Sequence, residues 1–449
     1  MAQIFKAQKV NKTPKKAVEV TIEKLDHQGL GFGRIEGKAV FVADALPGER
    51  VSVNIIEQKK QYAKAVLRKV LTPSEKRIQP TCSHYASCGG CSLQTLTGAD
   101  QVDYKQAALL SLLQNFNQST DMQLAEPILS QAWHYRRTAR LSVMFDRKLK
   151  QLVFGFRQKH SKSLVAIEQC PVLDPVLADL IKPLRRLINE LKIRRDIGHI
   201  ELFAVESGAI CLFRILTPLK DTDKLLLQSF ASEHNLDIYL QPQPDIVIKL
   251  SVTKVSEQSA DTWYNLLDGE FKLSFTPGNF IQVNPAVNDK MVRQAIDWLD
   301  LTPDDRVLDL FCGVGNFSLP MAQQCYSVVG VEGIDEMVRQ AQVNATANQI
   351  DNVTFNQADL STDFSLLPWA KRNFDKVLLD PARAGAAETV QYLHKLKAKK
   401  IVYVSCNPAT LARDSKLLME KHYKLTRLGM IDMFPQTGHV ESMALFERV

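Results

Sequence analysis

The sequence predicts three domains: a small OB-like β-barrel, a mixed α+β central domain and a C-terminal α/β domain of Rossmann-like build. Three observations carry that division. At 449 residues the chain has room for about three domains of ~100–200 residues each. Short alternating strands fill residues 17–71, and strand and helix patterns alternate from about residue 271 onward. The expected boundaries are a basic tail over 1–16, the barrel over 17–74, the central domain over 75–270 and the α/β domain over 271–449.

In the barrel, Val18, Val20 and Ile22 alternate, residues 39–42 form a second run, Val51, Val53 and Ile55 a third, and residues 62–67 close the set. A small antiparallel barrel is the expected closure. Gly29-Leu30-Gly31-Phe32-Gly33 lacks G-x-G-x-x-G spacing and has no helix after it, so it reads as strand and turn, not as a nucleotide loop. Thr72-Pro73-Ser74 reads as a linker. In the centre, helical apolar spacing covers residues 101–116 and 175–193, with strands expected at 139–144, 152–156 and within 237–255. The helix near 100–117 is expected to pack on the α/β domain. In that last domain, Val287, Met291, Val292, Ala295, Ile296 and Leu299 line one helical face. Short apolar strands follow at 307–310, 328–332, 353–355, 376–380 and 401–405, the pattern of a doubly wound parallel sheet.

Apolar residues make up 45% and charged residues 23%, which excludes a disordered chain, a collagen and a coiled coil. The net charge of +7 is unevenly spread. Residues 1–80 hold 16 Lys+Arg against 8 acids, and residues 131–162 hold 9 against Asp146 alone. The rest of the chain is therefore acidic. Two concentrated basic segments favour a polyanion partner, nucleic acid, over a merely solubilising face. No run of about 18 apolar residues could span a membrane, and residues 1–16 lack the apolar stretch of a signal peptide. The cytoplasm is expected, with no membrane and no obligate protein partner implied.

The strand at 307–310 runs into Phe311-Cys312-Gly313-Val314-Gly315-Asn316. Glycines at that turn let a ligand approach the backbone at a sheet's switch point. Glu332 ends the next strand, where an acid can accept ribose hydroxyls. The third glycine of a dinucleotide fingerprint is missing, so Asp309, the shortened loop and Glu332 fit S-adenosylmethionine better than NAD. Asp380-Pro381-Ala382-Arg383 lacks the aromatic that stacks the base in amino-nitrogen methylases. Ser405-Cys406-Asn407-Pro408 puts a thiol at a strand end beside the cofactor, a nucleophile's place; a lone Cys is otherwise a small buried hydrophobe. Uracil C5 is too weak a nucleophile to attack a methyl sulfonium until a thiolate has added to C6. A base must then remove the C5 proton. Glu441 fits that role, with His439 as its rival and a solvated carboxylate as the bland alternative.

The segments DLFCGVGNFSLP, LLDPARAG, VSCNPATLARD and GHVESM resemble the RNA uracil-C5 methyltransferases, which have a class I methyltransferase fold and use S-adenosylmethionine. Residues 17–71 look like a TRAM domain, an oligonucleotide-binding barrel. The resemblance implies that Cys406 is the nucleophile and Glu441 the proton acceptor. It also implies that Gln282, Phe311, Asn316, Glu332, Asp359 and Asp380 contact the cofactor.

Cys82, Cys88, Cys91 and the remote Cys170 supply four sulfurs and no histidine, which suits an iron–sulfur cluster or a structural zinc. Zinc sites more often show two short-spaced pairs, so the spacing leans to the cluster, and the resemblance implies [4Fe-4S]. The C-x3-C-x2-C spacing of radical enzymes is absent. Barrel plus cluster resembles the branch acting on 23S rRNA; a sister branch on another 23S rRNA uridine lacks the barrel, and the tRNA-specific branch lacks both. An inactive RNA-binding assembly factor and an RNA cytosine-C5 methylase compete, the latter with its Cys commonly in Thr-Cys or Pro-Cys contexts. Trp133, His134, Tyr135, Arg136, Arg137 and Arg140 are expected to form an RNA contact strip, although Trp133 and Tyr135 read equally well as core.

Overall fold

The computed structural model describes residues 17–114, 122–146, 151–250 and 262–449. The basic tail over 1–16, the end of the first expected helix beyond 114 and the strand reading over 251–255 lie outside the described residues. The chain forms two compact units, divided after Ile78.

The first unit is a closed barrel of β1 (Val18–Leu25), β2 (Gly31–Ile35), β3 (Lys38–Ala43), β4 (Arg50–Gln58) and β5 (Tyr62–Thr72), in the order β1-β2-β3-β5-β4. Alternate residues Val20, Ile22, Val40, Val42, Val51, Val53, Ala63 and Ala65 fill it. It is not wholly antiparallel: β3 and β5 run parallel. A ring of five strands cannot alternate direction all the way round, so closure forces one parallel pair. A Cβ on Gly33 would lie 2.3 Å from the Thr21 carbonyl oxygen, so this glycine serves close strand approach. The expected linker at 72–74 is packed. The Ser74 N–H donates to Glu49, and Arg77 Nη2 donates to both Glu49 Oε2 and the Asp44 carbonyl, each at 2.8 Å.

The second unit begins with α1 (Gly98–Gln114) and β6 (Gln123–Leu124). A seven-stranded sheet follows from β7 (Thr138–Asp146), β8 (Gln151–Arg157), β9 (Leu164–Ala166), β10 (Ile197–Val205), β11 (Gly208–Ile215), β12 (Leu236–Gln243) and β13 (Ile246–Lys249). Its order is β13-β12-β11-β10-β7-β8-β9. Helices α2 (Pro175–Glu190) and α3 (Asp221–Glu233) pack on it. Asp174 caps α2 by accepting from the Val176 N–H, and Leu177, Leu180, Ile181, Leu184, Leu187 and Ile188 form its buried stripe.

After the hairpin β14 (Trp263–Leu266) and β15 (Phe271–Ser274) comes the α/β portion. Its elements are α4 (Pro285–Leu299), β16 (Arg306–Leu310), α5 (Ser318–Ala322), β17 (Ser327–Glu332), α6 (Asp335–Ala347), β18 (Val353–Gln357), β19 (Lys376–Leu379), α7 (Ala387–Leu396), β20 (Lys400–Ser405), α8 (Pro408–Met419), β21 (Tyr423–Ile431) and β22 (Glu441–Arg448). The sheet order is β18-β17-β16-β19-β20-β22-β21-β6. The first five strands are parallel, as expected, but β22 runs antiparallel between β20 and β21. The nine residues between β21 and β22 form no crossover helix, so the chain can only return as a hairpin. β6 completes the edge alongside β21, and Leu109 and Leu113 of α1 join the core under one face of this sheet. Residues 98–124 thus belong structurally with the α/β portion. Among the described residues no helix is long and apolar enough to cross a membrane.

Candidate active site

The carboxyl ends of β16, β17, β19 and β20, with the start of β22, bring the expected residues to one edge. On the β16–β17 side the turn after Leu310 needs left-handed backbone at Phe311 (φ 64°), Gly313 (φ 55°) and Gly315 (φ 100°). Phe311 and Cys312 donate their N–H groups to the Val331 carbonyl, tying the loop to the next strand. Glu332 accepts from the Gly313 N–H at 3.2 Å, the Gly333 N–H at 2.8 Å and the Ile334 N–H at 3.1 Å. Among the described residues its carboxylate is held by backbone N–H groups. Asn316 exchanges two hydrogen bonds with Asn288 of α4, at 2.9 and 3.0 Å. Its amide therefore faces the helix and anchors the loop.

Behind this loop Asp309 is fully buried, takes a hydrogen bond from the Ser318 hydroxyl, and leaves Oδ1 unpaired. Burial pushes its carboxyl up to about 7, against the Ser318 bond and with the help of Asp380 and Glu332. Asp359 lies exposed after β18, where Ser361 donates both N–H and hydroxyl to it and lowers its pKa. Gln282 is half-buried, and its carbonyl accepts from Arg137 Nε at 2.7 Å.

The other side of the edge is acidic and desolvated. Asp380 is pushed up to about 7 by burial. Glu441 is buried and pushed up to about 8, by burial first and then by Asp380, while Lys105 pulls it back. The half-buried Cys406 thiol rises to about 11, through burial, Glu441 and Asp380, with Arg383 opposing. Asn407 donates to the Arg383 carbonyl at 3.1 Å, which joins the loop after β19 to the one after β20. The same side chain caps α8. His439 is held below its usual range by burial and by Arg383, Lys105 and Arg136, so it is neutral near pH 7. It stacks edge-on to Phe434 at 5.6 Å.

Cys82, Cys88, Cys91 and Cys170 line a single cavity of about 240 Å³ with Tyr85 and Tyr135. Cys91 is pushed up to about 12, by burial first and also by Cys170, Cys88 and Cys82, with a hydrogen bond to Gln94 opposing. Among the described residues, however, no three Cys, His, Asp or Glu side chains converge in a metal-binding arrangement. The segments carrying these thiols are zipped to the α/β portion and its neighbours. The Ser92 and Leu93 N–H groups donate to the Gln436 carbonyl. His134 and Arg136 donate theirs to Pro171 and Val172.

The expected RNA strip divides. Arg137 is buried, with its guanidinium 4.4 Å from the Tyr264 ring centroid and its Nε on Gln282. Tyr135 is also buried, and its hydroxyl donates to the Pro435 carbonyl at 3.0 Å. Both are corrected to packing residues, because neither presents a face to RNA. Trp133 and Arg136 are half-buried, and His134 and Arg140 are exposed; Arg140 pairs with Glu201 at 2.6 Å.

Three site residues carry no motif signal: Asn288, Asp432 and Lys105. Only Lys105 leaves a trace in the sequence, since it shares the i, i+4 stripe of Gln101, Leu109 and Leu113 and so points where leucines point.

Comparison with known proteins gives consistent matches. The family described as tRNA (Uracil-5-)-methyltransferase matches residues 97–449, and the TRAM domain matches residues 12–67. The chain is 48% identical over 453 residues to a 23S rRNA (uracil(1939)-C(5))-methyltransferase of Shewanella baltica, covering 100% of this chain and 99% of that one. It is 49% identical to the protein of the same name in Photobacterium profundum, over 99% of this chain and 97% of that one. Among solved structures, the tRNA (uracil-54, C5)-methyltransferase of Pyrococcus abyssi in complex with S-adenosyl-L-homocysteine superposes with a TM-score of 0.71 at 24% identity, over 96% of this chain and 100% of that one. That likeness shows a shared fold.

Proposed function

The chain belongs to the tRNA (uracil-5-)-methyltransferase family and carries a TRAM domain, and from that premise we propose that it methylates C5 of a uridine in 23S rRNA. The target is the uridine equivalent to the one named in its full-length relatives. The observation that carries the chemistry is one sheet edge with Cys406 beside Glu441 and Asp380. A carboxylate-lined cleft also suits a sulfonium cation better than a pyrophosphate, because like charges repel in a desolvated site. When bound, S-adenosylmethionine supplies an electrophilic methyl group. Glu332, Asp380, Phe311 and Gln282 would hold it, with Asp359 at the rim and Asn316 acting through the loop.

Cys406 as thiolate adds to uracil C6, and the electron pair displaced from the C5–C6 double bond goes to the carbonyl as an enolate. The enolate pair returns through C5 to take the methyl group, whose former C–S bonding pair stays on the sulfur. Glu441 removes the C5 proton, and the returning electron pair restores the double bond as the Cys406 thiolate leaves. Glu441 is preferred over His439 because it sits in the same desolvated cluster as Cys406 and Asp380. A base with a pKa near the working pH is the efficient choice. Methyl transfer from labelled cofactor to 23S rRNA, followed by nucleoside analysis, tests this. The expected product is 5-methyluridine; 5-methylcytidine, or no transfer, overturns it.

The four clustered cysteines would hold an iron–sulfur cluster, [4Fe-4S]. The donor set supports this reading: four thiols share one cavity, and His84, which also lines it, spends Nε2 on the Glu168 N–H. Desolvated thiolates repel one another, so these four thiols ionise together only where a bound cation offsets their charge. When bound, the cluster supplies a cross-link from residues 82–91 to Cys170. Anaerobically purified protein should be brown and contain iron and sulfide. Colourless protein with one zinc would assign the site to zinc. The barrel, the basic segments and the exposed His134 and Arg140 would bind the RNA backbone.

A further inference from the structure

We propose that Lys105, from a helix far upstream of the catalytic motifs, is the positioning residue that sets the charge and place of Glu441. The inference rests on Glu441 being the base. Lys105 is fully buried, and its Nζ lies 2.6 Å from Asp432 Oδ1 and donates to the Phe434 carbonyl at 3.0 Å. Both partners belong to the segment that leads from β21 into Glu441. The same helix grips that segment a second time. Gln101 Nε2 donates to Gln436 Oε1 at 3.0 Å, and the Gln436 N–H donates back to Gln101 Oε1 at 2.9 Å. The backbone of Gln436 needs this support, since its φ is 70°.

A lysine that only bridged α1 to this segment would need no particular charge. Here the charge has a second use. Glu441 faces Asp380 from the end of β19, Asp432 from the end of β21, Cys406 from the end of β20 and Lys105 from α1. His439 lies beside this group and is kept neutral by burial, Arg383, Lys105 and Arg136. Arg383 acts on Cys406 and His439, which among the described residues leaves Lys105 as the cation acting on Glu441 against two carboxylates. Burial lowers the pKa of Lys105 itself, and Asp432 and Glu441 oppose that loss of charge. Losing it leaves Asp432 buried and unpaired as well. The carboxyl of Glu441 would then hold its proton to higher pH, and a protonated carboxyl cannot take the C5 proton.

The test follows decay of the covalent Cys406–RNA species against pH in single turnover, after methyl transfer to 23S rRNA. The rate should rise with pH as Glu441 ionises. Lys105→Met should move the half-rise to higher pH and slow decay at pH 7 by about tenfold per unit of movement. Asp432→Asn should move it to lower pH, and the double variant should fall between the two. A purely structural lysine would lower thermal stability and scale the rate equally at all pH values. Unmoved half-rises in Lys105→Met and Asp432→Asn overturn the proposal. If Lys105→Met does not fold, Lys105→Arg and Lys105→Gln decide: the charge-keeping variant should retain the native half-rise and the neutral one move it to higher pH, and equal half-rises in both overturn the proposal. Glu441→Gln is the separate control. If it decays normally, the base is misassigned; if it stalls while the shifts are absent, only the role of Lys105 falls.

Discussion

The two halves of the sheet edge are built on opposite plans. Around β16 and β17, Glu332 is satisfied by three backbone N–H groups within a few residues of the loop it serves. Around β19, β20 and β22, burial raises Asp380, Glu441 and Cys406 alike, Asp380 raises Glu441 further, and both carboxyls raise Cys406. The opposing charge comes from Lys105, paired with Asp432 across 327 residues of sequence. In the proposed mechanism the first half binds the cofactor, since Glu332 and Asn316 are satisfied before a ligand arrives. The second carries the proposed proton and thiol chemistry, since its groups sit where small changes in charge alter ionisation. Variants in each half should therefore fail differently.

The largest effect should come from Cys406. Cys406→Ala removes the proposed nucleophile, so methylation should fall below detection while cofactor affinity, measured by calorimetry, stays at the native value. Loss of cofactor binding in this variant would erase the division between the halves.

Next comes Glu441→Gln, which should still form the thiol adduct and transfer the methyl group, then stall. Proton abstraction by a positioned carboxylate is worth ~10²–10⁴ in rate, so a labelled protein–RNA species should survive denaturing electrophoresis. RNA with 5-fluorouridine should trap the native protein likewise, because fluorine cannot leave as a cation. The sign of the pH effect follows from a carboxyl raised to about 8: the active form is the deprotonated one, so turnover should climb from pH 6 to 9. A plateau below pH 6 would mean another group is the base.

Charge also separates the halves through the cofactor itself. Burial, and then Glu441 and Asp380, hold the Cys406 thiol up at about 11, and a sulfonium cation among those carboxylates would offset their share. Alkylation of Cys406 at pH 8, read by mass spectrometry of its peptide, should be several-fold faster with S-adenosylmethionine than with the uncharged S-adenosylhomocysteine. Equal rates would show that the halves do not communicate by charge.

This division also decides what could be read in the sequence. The parallel strands announced themselves because strands buried on both faces are unbroken apolar runs, and Glu332 and the glycine loop follow them locally. The antiparallel β22 was illegible, since strand direction depends on a short connection, not on composition. The parallel β3–β5 pair was equally hidden, because it follows from the number of strands in the ring. Arg137 misled for a physical reason: a guanidinium reads as surface charge, yet over the Tyr264 ring and against the Gln282 carbonyl it is a packing element. Lys105 and Asp432 meet only in the folded chain.

The smallest predicted effect tests how Asn316 acts. Its side-chain amide is engaged with Asn288, which is itself buried at 1% exposure on α4. Asn288→Ala deletes two neutral hydrogen bonds, worth roughly 1 kcal/mol each in net terms, and lets the loop after β16 loosen. Cofactor affinity should drop by about fivefold to thirtyfold on that scale, with the rate at saturating cofactor unchanged, because nothing on the reacting half has moved. Asn316→Ala then discriminates. If Asn316 works only by anchoring the loop, it loses the same affinity as Asn288→Ala, and the double variant loses no more than either. If its amide also leaves Asn288 to contact the ligand, Asn316→Ala loses distinctly more. In that case the binding half rearranges on occupancy, and the contrast with the charge-tuned half narrows.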